Sequence, residues 1–194
     1  MSERPLPLVL HGAAGRMGRE VAAAARDEPG VAIAIALDAV GHPDLGRPLV
    51  DARGRSGPPD LSCSLSAAPA GAVVIDFSTP AALRALIEAL LADPRPLVSG
   101  TTGIGPGEES MLDDLARVAP VIHAPNMSVG VAAVRAAAAM LTRALGDGFD
   151  VEIVEIHHSA KKDAPSGTAL ALARSVAAAA GSGGRLVCRA PTAG

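Results

Sequence analysis

The chain has 194 residues, 49% hydrophobic, 19% charged and 1% aromatic, with a net charge of -3 and a pI near 5.9. This composition argues against a disordered chain. It offers no basic excess for a phosphate backbone, and with only Phe77 and Phe149 as aromatics it has no platform for stacked bases, so no nucleic-acid partner is expected. Cys63 and Cys188 are too few for a disulfide framework and show no metal-ligand spacing, so no metal is expected and a reduced, cytoplasmic protein is the default.

Residues 1–12 hold only a short apolar run broken by Pro5 and Pro7, which predicts no signal peptide. Leu6 to Leu10 reads as a buried strand ending at His11-Gly12. A helix follows from Arg16 to Glu28 and stops at Pro29-Gly30. Val31 to Leu37 is a second strand ending at Asp38, and Gly41 to Pro59, rich in Gly and Pro, reads as loop. Ala72 to Ile75 predicts a strand, Pro80 to Leu91 a helix, and Pro96 to Ser99 a strand entering Gly100-Thr101-Thr102-Gly103. A helix from Gly107 to Val118 and a strand from Pro120 to His123 complete this run. Strands alternating with helices predict an α/β fold with a parallel sheet, whose ligands lie at the carboxyl ends of the strands.

After Asn126 the pattern changes, which places a domain boundary there: residues 1–126, then 127–194. Val129 to Leu145, with Arg135 and Arg143, reads as a packed helix of a soluble protein, so no membrane association is expected. Val151 to Ile156 reads as a strand, Pro165 to Ala180 as a helix, and Leu186 to Arg189 as a last short strand.

Two segments carry chemistry. Gly12-Ala13-Ala14-Gly15-Arg16-Met17-Gly18 joins the first strand to the first helix. Its glycines allow a tight turn and close approach to a pyrophosphate, and the helix start favours an anion. The pattern is G-x-x-G-x-x-G rather than G-x-G-x-x-G, and its strength lies in its context: strand before, helix after, and Asp38 placed to accept from a ribose diol. The alternative is a glycine-rich turn without a ligand and a solvated Asp38. Ala39 and Val40 follow Asp38 and supply no base for a 2′-phosphate, so NADH is expected to be preferred over NADPH, with Arg16 as a partial compensation.

The second segment runs from Glu155 to Leu170: Glu155-Ile156-His157-His158-Ser159-Ala160-Lys161-Lys162-Asp163-Ala164-Pro165-Ser166-Gly167-Thr168-Ala169-Leu170. Pro165 suits a first helical turn, and Asp163 or Ser166 can cap it. The N–H groups near Ser166, Gly167 and Thr168 then form an anion pocket facing the lysines, fit for a carboxylate or phosphate substrate. A His beside a Lys can supply protons to a developing carbanion. The alternative is a solvated lysine pair and structural histidines.

Taken together, VLHGAAGRMGRE, VIDFSTPAA, VSGTTGI, APNMSVGV and EIHHSAKKDAPSGTAL resemble the 4-hydroxy-tetrahydrodipicolinate reductase (dihydrodipicolinate reductase) family of the diaminopimelate route to lysine. The resemblance implies a Rossmann-type dinucleotide-binding domain, an α+β substrate domain and a homotetramer. It implies an NAD(P)H-dependent oxidoreductase acting on a cyclic dicarboxylate: water is lost and hydride passes to ring carbon C4. Carried onto this chain, Gly12, Ala13, Ala14, Gly15, Arg16 and Met17 hold the pyrophosphate and Asp38 the adenosine ribose. Phe77, Ser78 and Thr79 flank the cofactor, Gly100, Thr101 and Thr102 line the nicotinamide side, and Ala124, Pro125, Asn126 and Met127 close the cleft at a hinge. His157 is the implied proton donor and acceptor, and Lys161 the acid that protonates C3. His158, Ser166, Gly167 and Thr168 bind the substrate, Ser166 on the strength of the anion pocket rather than of the resemblance.

Family members continue past the signature helix through further strands of the substrate domain. The expectation is therefore a complete nucleotide domain with an incomplete substrate domain. The competing reading is a fragment that binds dinucleotide without turning substrate over.

Overall fold

The computed structural model describes residues 4–157 and 165–181. The chain divides into two compact units, Met1–Ala124 and Pro125–Gly194.

The first unit is built on strands β1 (Leu6–His11), β2 (Val31–Leu37), β3 (Pro48–Val50), β4 (Ser56–Ser62), β5 (Val73–Asp76), β6 (Leu97–Ser99) and β7 (Val121–His123). They form one sheet in the order β3-β4-β2-β1-β5-β6-β7, parallel except for the antiparallel β3–β4 pair. Helices α1 (Arg16–Asp27), α2 (Pro80–Ala92) and α3 (Pro106–Ala116) supply the crossovers.

Side-chain alternation along a strand sends neighbours to opposite faces, and the core divides accordingly. Val9, Ile35, Leu37 and Val74 pack with Leu83, Leu86, Ile87 and Leu90 of α2 and Leu112 and Leu115 of α3. The intervening Leu10 and Ala36 pack instead with Ala22 of α1, together with Leu49 and Leu61. A parallel sheet covered on both faces reads as continuous apolar runs, which is why VAIAIAL was legible as β2 over its full observed span.

The stretch from Gly41 to Pro59, expected as loop, contains β3 and part of β4. Prolines cannot donate to a ladder, which made this stretch read as irregular. The pairing accommodates them: Leu49 faces Gly57 and Pro48 faces Asp60, so Pro58 and Pro59 fall in an irregularity where no partner is required. The β3–β4 hairpin is tied to α1 by charge. Asp51, 2% exposed, takes the backbone N–H groups of Arg53 and Arg55 and the guanidinium of Arg55 at 2.7 Å, with Arg26 at 3.2 Å. Burial pushes this carboxyl up, but these donors outweigh burial and hold it down at about 2.

The second unit contains α4 (Val129–Leu145), a 3-10 turn at Gly146–Gly148 and α5 (Gly167–Ala179). Ser128 and Ser166 cap the two helices, each hydroxyl accepting from a backbone N–H three residues on. Helix α4 packs on α5, and Arg135 Nε donates to Ser175 Oγ at 3.1 Å. Two expectations are corrected in this unit. Helix α4, expected as packed, is packed on one flank only: α5 leaves Val134, Met140 and Leu141 exposed, and no residue of α4 is buried. With the following turn, Val129–Gly148 is long and apolar enough to cross a membrane by length and composition. Residues 151–156 form no strand, because a strand exists only with a hydrogen-bonded neighbour and no described residue pairs with them. The strand expected at 186–189 lies outside the described residues.

Candidate active site

The turn between β1 and α1 is shaped by two glycines. Gly12 has φ +74, and a Cβ there would stand 2.6 Å from the Phe77 carbonyl oxygen. A Cβ on Gly18 would stand 2.1 Å from the Gly12 oxygen, so only glycine lets α1 start this close to the loop. The loop is anchored to β2: Ala13 N donates to Leu37 O at 3.0 Å, and Ala14 N to Asp38 Oδ2 at 2.8 Å. Ala39 N donates to the other carboxylate oxygen at 2.9 Å. Asp38 is thus fixed at the end of β2, with lone pairs remaining on both oxygens.

Helix α1 begins with neither a side-chain cap nor an acidic residue in its first turn. The other described α-helices are served by Thr79, Ser128 and Ser166, or, in α3, by acidic first-turn residues Glu108 and Glu109. The N–H groups of Arg16, Met17 and Gly18 at α1 are therefore left for an external anion, with the exposed Arg16 side chain beside them. That is the donor set a dinucleotide pyrophosphate requires. A cavity of about 310 Å³ opens beside Ala14, with Arg19 and Arg47 in its walls. Arg47 is paired with Asp44 at 3.1 Å.

Sheet register brings together four polar residues that sequence reading left apart. His11 pairs with Asp76, Asp76 with Ser99, and Ser99 with His123, each the last residue of its strand. Asp76 is fully buried and is the centre of the row. His11 Nδ1 donates to it at 2.8 Å and Ser78 Oγ at 2.5 Å on one oxygen; Ser99 Oγ at 2.8 Å and Thr101 Oγ1 at 2.7 Å donate to the other. Burial raises the carboxyl, but the hydrogen bonds from His11, Ser78, Thr101 and Ser99 outweigh it and hold it below its ordinary value.

This carboxylate fixes the loops after β5 and β6. Thr101 Oγ1 in turn accepts from Ser78 N at 2.9 Å, and His123 Nε2 donates to Thr101 O at 3.0 Å. The Phe77 ring lies against Gly100, where a Cβ would stand 2.1 Å from its edge. Thr101 is buried while Thr102 is exposed beside it. Ala124 N donates to Ser99 O at 3.0 Å and ends the first unit.

In the second unit, Asn126 Nδ2 donates to Thr168 Oγ1 at 2.9 Å, and Asn126 Oδ1 accepts from Ser128 N at 2.8 Å. Pro125 and Met127 are exposed beside Asn126. Glu155 was not singled out in the sequence, yet it organises this region. It accepts from Ser166 N at 2.6 Å, from Ser166 Oγ and from His157 Nε2 at 2.9 Å. Bonds from Ser166 and His157 bring its carboxyl down to about 2. The N–H of Ser166, expected to face a substrate anion, thus holds an internal carboxylate. The available signal was proximity in sequence: Glu155 lies two residues before His157, close enough for the carboxylate to reach the imidazole. His158 and Lys161 lie outside the described residues. Among the described residues, no group of three or more His, Cys, Asp or Glu is placed to hold a metal ion.

Residues 6–127 match the family described as "Dihydrodipicolinate reductase, N-terminus", and residues 130–190 match "Dihydrodipicolinate reductase, C-terminus". The chain is 43% identical over 179 residues to the 4-hydroxy-tetrahydrodipicolinate reductase of Rubrobacter xylanophilus, covering 92% of this chain and 66% of that protein. It is also 43% identical to the enzyme of the same name from Anaeromyxobacter dehalogenans, covering 90% of this chain and 65% of the relative. It thus spans just under two thirds of these relatives' length. Among solved structures, dipicolinate-bound dihydrodipicolinate reductase from Paenisporosarcina sp. TG-14 superposes with a TM-score of 0.70 at 26% identity, covering 92% of this chain and 68% of that one.

Proposed function

The chain belongs to the dihydrodipicolinate reductase family, and from that premise we propose that it carries out the dinucleotide-dependent reduction of 4-hydroxy-tetrahydrodipicolinate to tetrahydrodipicolinate in diaminopimelate and lysine biosynthesis. The observation that carries the reading is the β1–α1 turn: an uncapped helix start beside an Asp38 tied to the same loop. When bound, the dinucleotide supplies the hydride. Gly12, Ala13, Ala14, Gly15, Arg16 and Met17 hold the pyrophosphate, Asp38 holds the adenosine ribose, and Phe77, Gly100, Thr101 and Thr102 line the path to the reacting ring. Ala124, Pro125, Asn126 and Met127 join the nucleotide segment, residues 1–126, to the substrate segment, residues 127–194.

His157 takes up and returns a proton beside the substrate. Lys161 donates the proton that completes the ring carbon next to the site of hydride addition. His158, Gly167 and Thr168 bind a substrate carboxylate, and Ser166 contributes by fixing the helix start through Glu155. The partner is a small dicarboxylate; a homotetramer is what the family resemblance implies.

Consumption of NADH on addition of freshly generated 4-hydroxy-tetrahydrodipicolinate tests the activity. Dinucleotide binding without turnover would refute it. We also propose that NADH is preferred, because the Asp38 carboxylate repels a 2′-phosphate and Arg47 is already paired with Asp44. A higher kcat/KM with NADPH would overturn that preference and direct attention to Arg19 and Arg47 on the cavity wall.

A further inference from the structure

We propose that Glu155 is a positioning residue for His157: it fixes the neutral imidazole with its proton on Nε2 and leaves Nδ1 to exchange protons with the substrate. The catalytic part of this inference rests on the reading of His157 as the proton-transfer group. The tautomer part does not.

His157 Nε2 lies 2.9 Å from Glu155 Oε2. An ionised carboxylate only accepts, so the contact demands a proton on Nε2, and in the neutral ring the lone pair is then on Nδ1. The carboxylate is itself fixed at both oxygens. Ser166 N donates to Oε1 at 2.6 Å and Ser166 Oγ to Oε2, while that hydroxyl accepts from Ala169 N at 3.1 Å. Glu155 therefore occupies the start of α5, where the helix dipole favours a negative charge. The same first turn carries Thr168, bonded to Asn126. One acidic side chain thus ties the orientation of the imidazole to the turn that bears the proposed carboxylate-binding residues. A histidine with the wrong tautomer is a poor proton carrier even when its position is unchanged.

The test is long-range proton–nitrogen correlation NMR of the full chain labelled with nitrogen-15, with the His157 signals assigned by their loss in His157→Gln. Spectra are recorded near pH 8.5, where an ordinary imidazole of pKa about 6.5 is neutral. The parent protein is expected to show the Nε2–H form of His157, and Glu155→Ala a mixture of both tautomers. Glu155→Gln offers a single acceptor oxygen for the Ser166 N–H and the His157 Nε2–H, so it is expected to restore only part of the bias. In the reductase assay Glu155→Ala is expected to lower kcat by roughly 10²-fold with dinucleotide affinity unchanged, and Glu155→Gln to recover part of the loss. An Nδ1–H or mixed signal in the parent overturns the inference without recourse to any variant, as does a tautomer unmoved by Glu155→Ala. If the parent holds the Nε2–H form and the variants behave as stated but no turnover occurs, the proposed reaction fails while the positioning of His157 stands.

Discussion

Replacing Asp76 with alanine isolates the buried carboxylate at the centre of the strand-end row. The substitution removes the acceptor for four donors, His11, Ser78, Ser99 and Thr101. His11 and Ser78 are partly reached by water and can re-pair. Ser99 and Thr101 are 0% and 2% exposed, and their hydroxyls lose their acceptor in a dry site. An unsatisfied buried polar group costs about 1–3 kcal/mol, so the pair places the loss at roughly 3–5 kcal/mol. That is a large share of the about 5–15 kcal/mol that holds a domain together. Asp76→Asn keeps one carbonyl acceptor, and the Ser and Thr hydroxyls can rotate to accept from the new amide, so it should cost only about 1–2 kcal/mol. Urea unfolding followed by circular dichroism measures both. Because Ser99 and Asp76 share a bond, the Asp76→Ala and Ser99→Ala effects should be non-additive by roughly 1 kcal/mol. A loss below about 1 kcal/mol for Asp76→Ala, or equal losses for Ala and Asn, would refute the account of the row as a hydrogen-bonded centre. The pH dependence carries a second signature. The folded carboxyl sits below its ordinary value of 3.8, so its contribution is intact above that value and is lost as pH falls through the lower folded value. The parent should lose stability below about pH 4 more steeply than Asp76→Asn.

Gly18→Ala would place a methyl 2.1 Å from the Gly12 oxygen and 2.7 Å from Ala13 Cα. It should cost about 1–3 kcal/mol of stability by overpacking and weaken dinucleotide binding, as titration calorimetry would show; unchanged affinity would remove the loop from the binding site. Lys161→Ala should lower kcat strongly while leaving the NADH dissociation constant nearly intact, because its role is confined to the transition state. Loss of cofactor affinity alone would overturn that role. Asp38→Ser removes the charge and the carboxylate oxygen that accepts from Ala14 N. NADH affinity should fall by about tenfold while NADPH affinity falls less, and an equal loss for both would mean that Asp38 does not read the ribose.

Apart from β3 and β4, the order of strands and helices in the first unit was legible because each element carries its own periodicity and stop signal. β2 is legible at its observed span, Val31–Leu37, from an unbroken apolar run ending in Asp38, and α4 at Val129–Leu145 from a long Ala-rich stretch. The glycine loop and the Glu155–Leu170 segment were legible for the same reason: each is continuous in the chain. What was not legible depends on neighbours. β4 was hidden because its prolines are tolerated only through an irregularity in its pairing with β3. Residues 151–156 have a strand's sequence and, among the described residues, no strand beside them.

The polar row is the clearest case. His11, Asp76, Ser99 and His123 are strand ends separated by long stretches of chain, and nothing in those stretches declares that the register will set them side by side. Glu155 lies two residues from His157, but its partner Ser166 is eleven residues on and meets it only in the folded chain. The sequence alone therefore determined the class of fold and marked the glycine loop and the Glu155–Leu170 segment as candidates for chemistry, all properties of local pattern. Tertiary structure alone decided which side chains hold those pieces in place, since a hydrogen bond across a sheet or onto a helix start depends on register and packing between distant residues.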